Sequence, residues 1–249
     1  MVETNKINSS FDKAKAIELN HELLLGTFFS DLIKTPQYLQ TYSNIPGEFC
    51  WEYILPTSET HLASDTASIY TPAILTERQN DLQFIDSWML AEIPQKLEQP
   101  SSPFTFSVVN SKKEMIQFID AFHQAYSGYQ NNDPYGNLPE IYGKTLLTAF
   151  QSQKTKLKFT YLQDNAKKMI AVTAIATEQP YSFAWCVGIV PSWRNRGLAK
   201  TLLHYQKYYS SSKNCTFLIV QTLNNSFVEK LYQKNGFELF ETMRFYRGL

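Results

Sequence analysis

The sequence predicts an α+β chain. Three observations carry this. The composition is that of a packed globular protein, with 43% apolar and 14% aromatic residues, well outside the disordered range. A proline-rich break divides the chain near residue 100. After the break, strand-like and helix-like segments alternate in clusters, with three strands running consecutively.

The elements follow in order. Residues 10–33 keep one apolar face through Phe11, Ala14, Ile17, Leu24, Phe28 and Leu32. This predicts one amphipathic helix, capped by Ser10 and ended by Thr35-Pro36. Residues 48–55 read as a strand closed by Pro56, and a polar stretch follows from Thr57 to Thr66. Residues 82–93 are weakly patterned. Pro94, Pro100 and Pro103 then mark a domain boundary.

Phe104–Asn110 is a predicted strand. Ser111-Lys112-Lys113-Glu114 is a capping box that opens a helix with Met115, Phe118, Ile119, Phe122 and Tyr126 on one face. A turn-rich loop, 127–137, leads to a second helix over Leu138–Phe150, with Pro139 in its first turn. Lys158–Leu162 and Met169–Thr177 are strands around Asp164-Asn165, and Ser182–Val190 is a third. A helix begins near Gly197, with Leu198, Leu202, Tyr205 and Tyr209 on one face. Thr216–Gln221 is a β-branched strand. Asn224–Gln233 is a short helix stopped by Asn235-Gly236. Phe237–Tyr246 is a last strand, with Phe237, Leu239, Glu241, Met243 and Phe245 on one side.

Composition excludes several classes. Lys+Arg and Asp+Glu are 23 each, so the chain lacks the basic excess of a nucleic-acid binder. The cysteines (Cys50, Cys186, Cys215) and histidines (His21, His61, His123, His204) show no metal spacing and no disulfide framework. No metal is expected. The first fifteen residues lack an apolar signal core, and the longest apolar run, Met169–Ala176, is too short to span a bilayer. A cytoplasmic protein without a membrane partner is expected, as a monomer or homodimer.

The informative segment is the strand–turn–helix at 190–199. A helix entered this way presents orphan N–H groups and its positive dipole end, which suits an anion. Gly197 and Ala199 allow close approach to the backbone, and Arg194 and Arg196 add charge. A plain connection with two solvated arginines is the other reading. Neither GxxxxGK nor GxGxxG is present.

Arg194-x-x-Gly197-x-Ala199 resembles motif A of the GNAT acyl-CoA N-acyltransferase superfamily, whose pattern is Gln/Arg-x-x-Gly-x-Gly/Ala. Asn225-x-x-Val228-x-x-Leu231-Tyr232-x-x-x-Gly236-Phe237 resembles a second signature of that superfamily. Both stand in order with a helix and a strand between them, and the resemblance covers residues 104–249. It implies a GNAT fold, with a mixed and mostly antiparallel central sheet flanked by helices. Residues 1–100 would be an N-terminal α/β extension, weakly similar to the degenerate GNAT-like half of longer members.

The resemblance also implies roles. Acetyl-CoA would be the co-substrate and an amine the acceptor. Val187, Gly188 and Ile189 would meet the pantetheine arm and the thioester. Arg194, Asn195, Arg196, Gly197, Leu198, Ala199 and Lys200 would cradle the pyrophosphate. Asn225 would hydrogen-bond the pantetheine. Tyr232 would act as general acid toward the leaving thiolate; a tyrosine that merely anchors its helix is the alternative. The acyl-CoA cleft is expected between Ser182–Val190 and Thr216–Thr222.

Departures from the pattern leave questions open. Asn195 stands where the family usually has Gly. Trp185 and Cys186 stand where several members carry a carboxylate base. Asp133 and Glu178 are candidate carboxylates or ordinary loop charges. Cys186 is an acyl-enzyme candidate or a small strand residue. The loop 127–137, with Tyr126, Tyr129, Asn131, Asn132, Asp133 and Tyr135, is an acceptor wall or a solvent loop. An N-acetyltransferase acting by direct amine attack is the expected function. A non-catalytic acyl-CoA-binding module is the rival, as is transfer of another acyl group or to another acceptor.

Overall fold

The computed structural model describes residues 10–57, 67–127 and 138–248. Helix α1 is Lys13–Leu24; strands β1 (Phe29–Lys34), β2 (Tyr38–Ser43), β3 (Ile54–Pro56), β4 (Ile69–Thr71) and β5 (Leu82–Glu92) follow. After the prolines come β6 (Thr105–Val108), α2 (Lys112–Tyr126), α3 (Glu140–Ser152), β7 (Lys158–Gln163), β8 (Met169–Glu178) and β9 (Tyr181–Ile189). The chain ends with α4 (Leu198–Ser212), β10 (Phe217–Leu223), α5 (Phe227–Lys234) and β11 (Glu238–Tyr246).

Among the described residues, eleven strands form one sheet in the order β1-β2-β3-β4-β11-β5-β10-β9-β8-β7-β6. Only β3–β4 and β9–β10 pair in parallel. The expected mixed, mostly antiparallel sheet is therefore present. Strand β5 lies between β10 and β11, antiparallel to both. The proline-rich segment thus joins two parts of one continuous sheet.

Central position explains why residues 82–93 carry so little pattern. Trp88 and Leu90 enter the large core on one face, while Met89 and Ala91 enter the core on the other. A strand buried on both faces has no polar side to alternate with. Strand β10 divides likewise, with Phe217 and Ile219 on one side and Leu218 and Val220 on the other. Helices α1, α2 and α3 pack on the first face through residues such as Leu23, Phe118 and Leu146. Helices α4 and α5 cover the second through Leu202, Leu203 and Tyr232.

Three local expectations are corrected. The helix predicted over 10–33 ends at Leu24, and Asp12, not Ser10, caps it by accepting the Lys15 N–H. Gly26 at φ 77° turns the chain, and a Cβ there would stand 2.9 Å from the Lys154 carbonyl oxygen. Phe28 and Leu32 therefore belong to the turn and to β1, not to the helix. The strand predicted over 48–55 is a short 3-10 turn, Phe49–Trp51, followed by β3. In β11 an extra residue falls between Leu239 and Glu241. This bulge turns Phe240 toward the main core and leaves Leu239 exposed.

Candidate active site

The β9–β10 ladder runs from Tyr181↔Phe217 to Ala184↔Val220 and ends there. The two strands then part, at the place expected for an acyl-CoA cleft. A bulge supplies the cause. On β8, Val172 and Ala174 pair with Gly188 and Trp185, so β9 carries one extra residue. Cys186 takes φ 53° within that extra step. A bulge bends its strand and raises the local twist, and here it bends β9 away from β10.

Helix α2 holds the outer arm of this fork. Its Tyr126 hydroxyl donates to the Val187 carbonyl at 3.3 Å. A Cβ on Gly188 would stand 2.5 Å from the Ala125 Cβ, so glycine lets the last turn of α2 lie directly on β9. The Arg194 guanidinium completes the joint. It donates to the carbonyls of Ile189 (3.2 Å) and Ala125 (2.7 Å), tying the turn to both strand and helix.

From β9 the chain passes through a 3-10 turn, Pro191–Trp193, into α4. Asn195 and Gly197 adopt φ 60° and 75°. Asparagine tolerates the left-handed region better than most residues, which accounts for Asn195 in place of glycine. A Cβ on Gly197 would meet nothing within 4 Å, so its role is conformational rather than spatial. Side chains cap α1, α2 and α5, while α3 starts after Pro139 without a side-chain cap. Helix α4 has no side-chain cap and no acidic residue in its first turn. The N–H groups of Leu198 and Ala199 lie within the stretch that has no acceptor inside a helix. Arg196 and Lys200 are exposed beside them, with Arg196 5.0 Å above the Trp193 ring.

Helix α5 forms the inner arm. Ser226 accepts the Glu229 N–H at 3.1 Å, and the Glu229 carboxylate accepts the Asn225 N–H at 2.5 Å. Asn225, at φ 60°, is exposed and donates its side-chain amide to Asn224 Oδ1 at 2.6 Å. Tyr232 is 4% exposed and packs against Phe237, with ring centroids 5.1 Å apart.

The fork opens into a cavity of about 690 Å³. Val187 and Tyr232 both line it. Of the other predicted residues, Gly188, Ile189, Arg194–Lys200 and Asn225 do not. They stand around the turn before α4 and the turn before α5. The cavity takes its floor from β9 and β10 and a wall from α5 through Ser226, Phe227 and Val228. Phe122, Tyr126 and Tyr142 come from α2 and α3. The rest comes from the first hundred residues: Leu24, Phe28, Trp51, Tyr53, Tyr70, Phe84 and Asp86 among them.

Hydrogen bonds fix that wall. Trp88 Nε1 donates to the Tyr70 hydroxyl at 2.8 Å, which donates to Asp86 Oδ2 at 2.9 Å. Trp51 Nε1 donates to the Tyr142 hydroxyl at 2.8 Å, which donates to Glu48 at 3.2 Å. His21 bridges the Ile17 carbonyl and the Tyr53 hydroxyl at 2.7 and 2.8 Å. Burial lowers its pKa to about 4, so the ring is neutral near pH 7. Nδ1 must then donate to the carbonyl and Nε2 must accept from Tyr53. Burial pushes the Cys50 and Cys186 thiols up to about 12. Cys186 is therefore protonated at neutral pH, which argues against an acyl-enzyme on it.

Of the carboxylates weighed from sequence, Glu178 pairs with Tyr181 at the end of β9 remote from the fork. Asp133 and the rest of 128–137 lie outside the described residues. Asp86 was not among those weighed. Its signal was a single carboxylate inside the run Phe84-Ile85-Asp86-Ser87-Trp88-Met89-Leu90-Ala91, where burial of charge is costly without partners.

Residues 157–239 match the family described as Acetyltransferase (GNAT) domain. The match covers about a third of the chain. No curated protein matches the chain. Among solved structures, it is similar to a GCN5-related N-acetyltransferase from Kribbella flavida, with 12% identity and TM-score 0.59 over 94% of this chain and 95% of that one. It is also similar to a conserved protein of unknown function from Staphylococcus epidermidis, with 9% identity and TM-score 0.63 over 87% and 93%. A GNAT-family protein from Novosphingobium aromaticivorans shows 10% identity and TM-score 0.52 over 86% and 89%. At these identities the likeness is one of fold. At these coverages the likeness in fold extends beyond residues 157–239.

Proposed function

We propose that this GNAT chain transfers the acetyl group of acetyl-CoA to a primary amine by direct attack, with both substrates bound together. The observation that carries the reading is the fork itself. Two parallel strands part at Ala184↔Val220, a cavity lined by Val187 and Tyr232 lies beyond the parting, and the helix that follows β9 starts without a side-chain cap.

The pyrophosphate of acetyl-CoA would lie on the first turn of α4, against the N–H groups of Leu198 and Ala199, with Arg196 and Lys200 adding charge. Arg194 serves as a positioning residue, because its guanidinium holds Ile189 and Ala125. The pantetheine would run along the open edge of β9 past Val187 and Gly188, with Asn225 reaching it from the α5 side. A backbone N–H on that edge would stabilise the carbonyl oxygen as it gains negative charge.

The acceptor ammonium first releases one proton to water. Its nitrogen then attacks the thioester carbonyl carbon, forming the C–N bond. Collapse breaks the C–S bond, and the nitrogen loses its second proton. The thiolate takes a proton from the Tyr232 hydroxyl, which is refilled from solvent. The net products are an N-acetyl amine, CoA thiol and one proton. The first hundred residues close the acceptor side of the cavity.

Calorimetric titration with acetyl-CoA, followed by thiol release with amines, tests the reading. Saturable binding with amine-dependent thiol release is expected. Binding without release from any amine would leave an acyl-CoA-binding module, and absence of binding at millimolar acetyl-CoA would remove the shared premise.

A further inference from the structure

We propose that Asn20 selects the acceptor by hydrogen-bonding a neutral amide or hydroxyl group on it, with Gln221 as the second contact. This rests on the acetyl-transfer reading and names a feature of its second substrate.

Asn20 lies on α1 and lines the cavity, although it is only 3% exposed. Among the described residues, neither polar atom of its carboxamide has a hydrogen-bond partner. Nor are those atoms sealed in the packing. Among the described residues, the fully buried side-chain atoms without a partner are Gln206 Oε1 and Ser210 Oγ, both on α4. The little surface that Asn20 keeps therefore includes its amide, and it faces the cavity. The next residue on the helix shows the contrast, since His21 satisfies both ring nitrogens inside the fold. A buried amide is costly unless something meets it. Solvent does so in an open cavity, and an acceptor that displaces the solvent must replace those bonds.

Gln221 supplies a second carboxamide. It is the first residue of β10 beyond the last β9–β10 pair. Alternation puts its side chain on the face of Phe217 and Ile219. It too lines the cavity, without a hydrogen-bond partner for its amide among the described residues. Helix α1 reaches this point of the sheet. The His21 ring stacks with Trp88 at 6.2 Å between centroids, and Trp88 pairs with Gln221.

The chemistry of the two amides sets the ligand class. A carboxamide is uncharged and offers one acceptor oxygen and two N–H donors. An amide or a hydroxyl answers both functions, whereas an ammonium only donates and a carboxylate only accepts. Phe28, Trp51, Phe122 and Trp185 line the same cavity and suit an apolar body around that polar group.

The test uses the full chain, acetyl-CoA and four amines: L-phenylalaninamide, L-phenylalaninol, L-phenylalanine and 2-phenylethylamine. The first two should show the higher kcat/KM, and preference for either of the others overturns the proposal. In Asn20→Leu their advantage over 2-phenylethylamine should fall about tenfold. Differences in amine basicity cancel when the two proteins are compared. A loss confined to the amide or to the alcohol assigns that group. The acetyl-CoA Kd should stay within about twofold, and the Tm should hold or rise, because leucine removes an unpaired buried amide. An unchanged ratio overturns the proposal, and a lower Tm beside it would make Asn20 a residue of the fold alone. If Asn20→Leu does not fold, calorimetry on the native chain decides the matter. 3-Phenylpropionamide should bind about tenfold more tightly than propylbenzene, and equal affinity overturns the assignment. If acetyl-CoA binds and no amine is acetylated, the acetyl-transfer reading itself has failed, and the calorimetric comparison still tests the Asn20 site.

Discussion

Ala125 on α2 lies against the backbone of Gly188 on β9, so closely that a methyl group at 188 would stand 2.5 Å from the Ala125 Cβ. Neither neighbour is the far end of a flexible side chain. Gly188→Ala must therefore push α2 off the strand. Overpacking of this kind costs about 1–3 kcal/mol, and the shift would also carry Tyr126 away from Val187. A lowered Tm together with weaker acetyl-CoA binding is expected, measured by thermal denaturation and calorimetry. Unchanged values for both would show that this contact does not set the outer arm.

The two arginines of the turn should separate in their effects. Arg194 satisfies two backbone carbonyls, and losing hydrogen bonds to a charged group costs about 1.5–3 kcal/mol. Arg194→Ala should lower stability even without ligand, and Arg194→Lys should rescue little of it, since an ammonium cannot span both carbonyls as the fork does. Arg196 is exposed over Trp193. Arg196→Ala should leave the melting temperature alone and weaken acetyl-CoA about tenfold at low salt. The reverse pattern would exchange their roles.

Tyr232→Phe keeps the packing against Phe237 and deletes the hydroxyl. Loss of a general acid lowers turnover by about a hundredfold or more. That loss should fall on kcat, with the acetyl-CoA Kd unchanged. A rate equal to wild type across pH 6–9 would reduce Tyr232 to an anchor for α5.

His21 makes stability depend on pH. Its folded pKa, lowered to about 4 by burial, lies below the unfolded value near 6.5. Between those values the unfolded chain binds the extra proton and the folded chain does not. Stability therefore falls as pH drops from about 6.5 toward 4, by an amount on the order of 3 kcal/mol for this group. Urea denaturation at pH 7.5 and pH 4.5 measures the slope. His21→Gln should flatten it, and an unchanged slope in that variant would assign the effect to other groups.

Much of the chain after residue 104 was legible because its signals are local. The Ser111 cap, the Gly236 stop and the run through Met169–Ala176 each involve neighbours in the chain. The turn before α4 was readable for the same reason, since Arg194, Gly197 and Ala199 stand within six residues. Strand β5 was not. Its partners lie far along the chain (Ser87 meets Asn224 across 137 residues), and burial on both faces erased its period. The apolar face drawn through Phe28 and Leu32 failed at Gly26, because periodicity cannot see a carbonyl of residue 154 closing on the turn. Asp86 was hidden with its strand, so the cavity wall supplied by the first hundred residues was not legible. The hydrogen bond from Arg194 to the Ala125 carbonyl was not legible, since that carbonyl comes from another element.

The central claim is acetyl transfer at the fork, and mass spectrometry of the acceptor tests it most directly. The purified chain is incubated with acetyl-CoA and an amine library, and products are read for the added acetyl mass alongside released CoA thiol. The account predicts an N-acetyl product in equal amount to the thiol, lost in Tyr232→Phe. Thiol release by hydrolysis alone, or no acetylated amine despite bound acetyl-CoA, would contradict it.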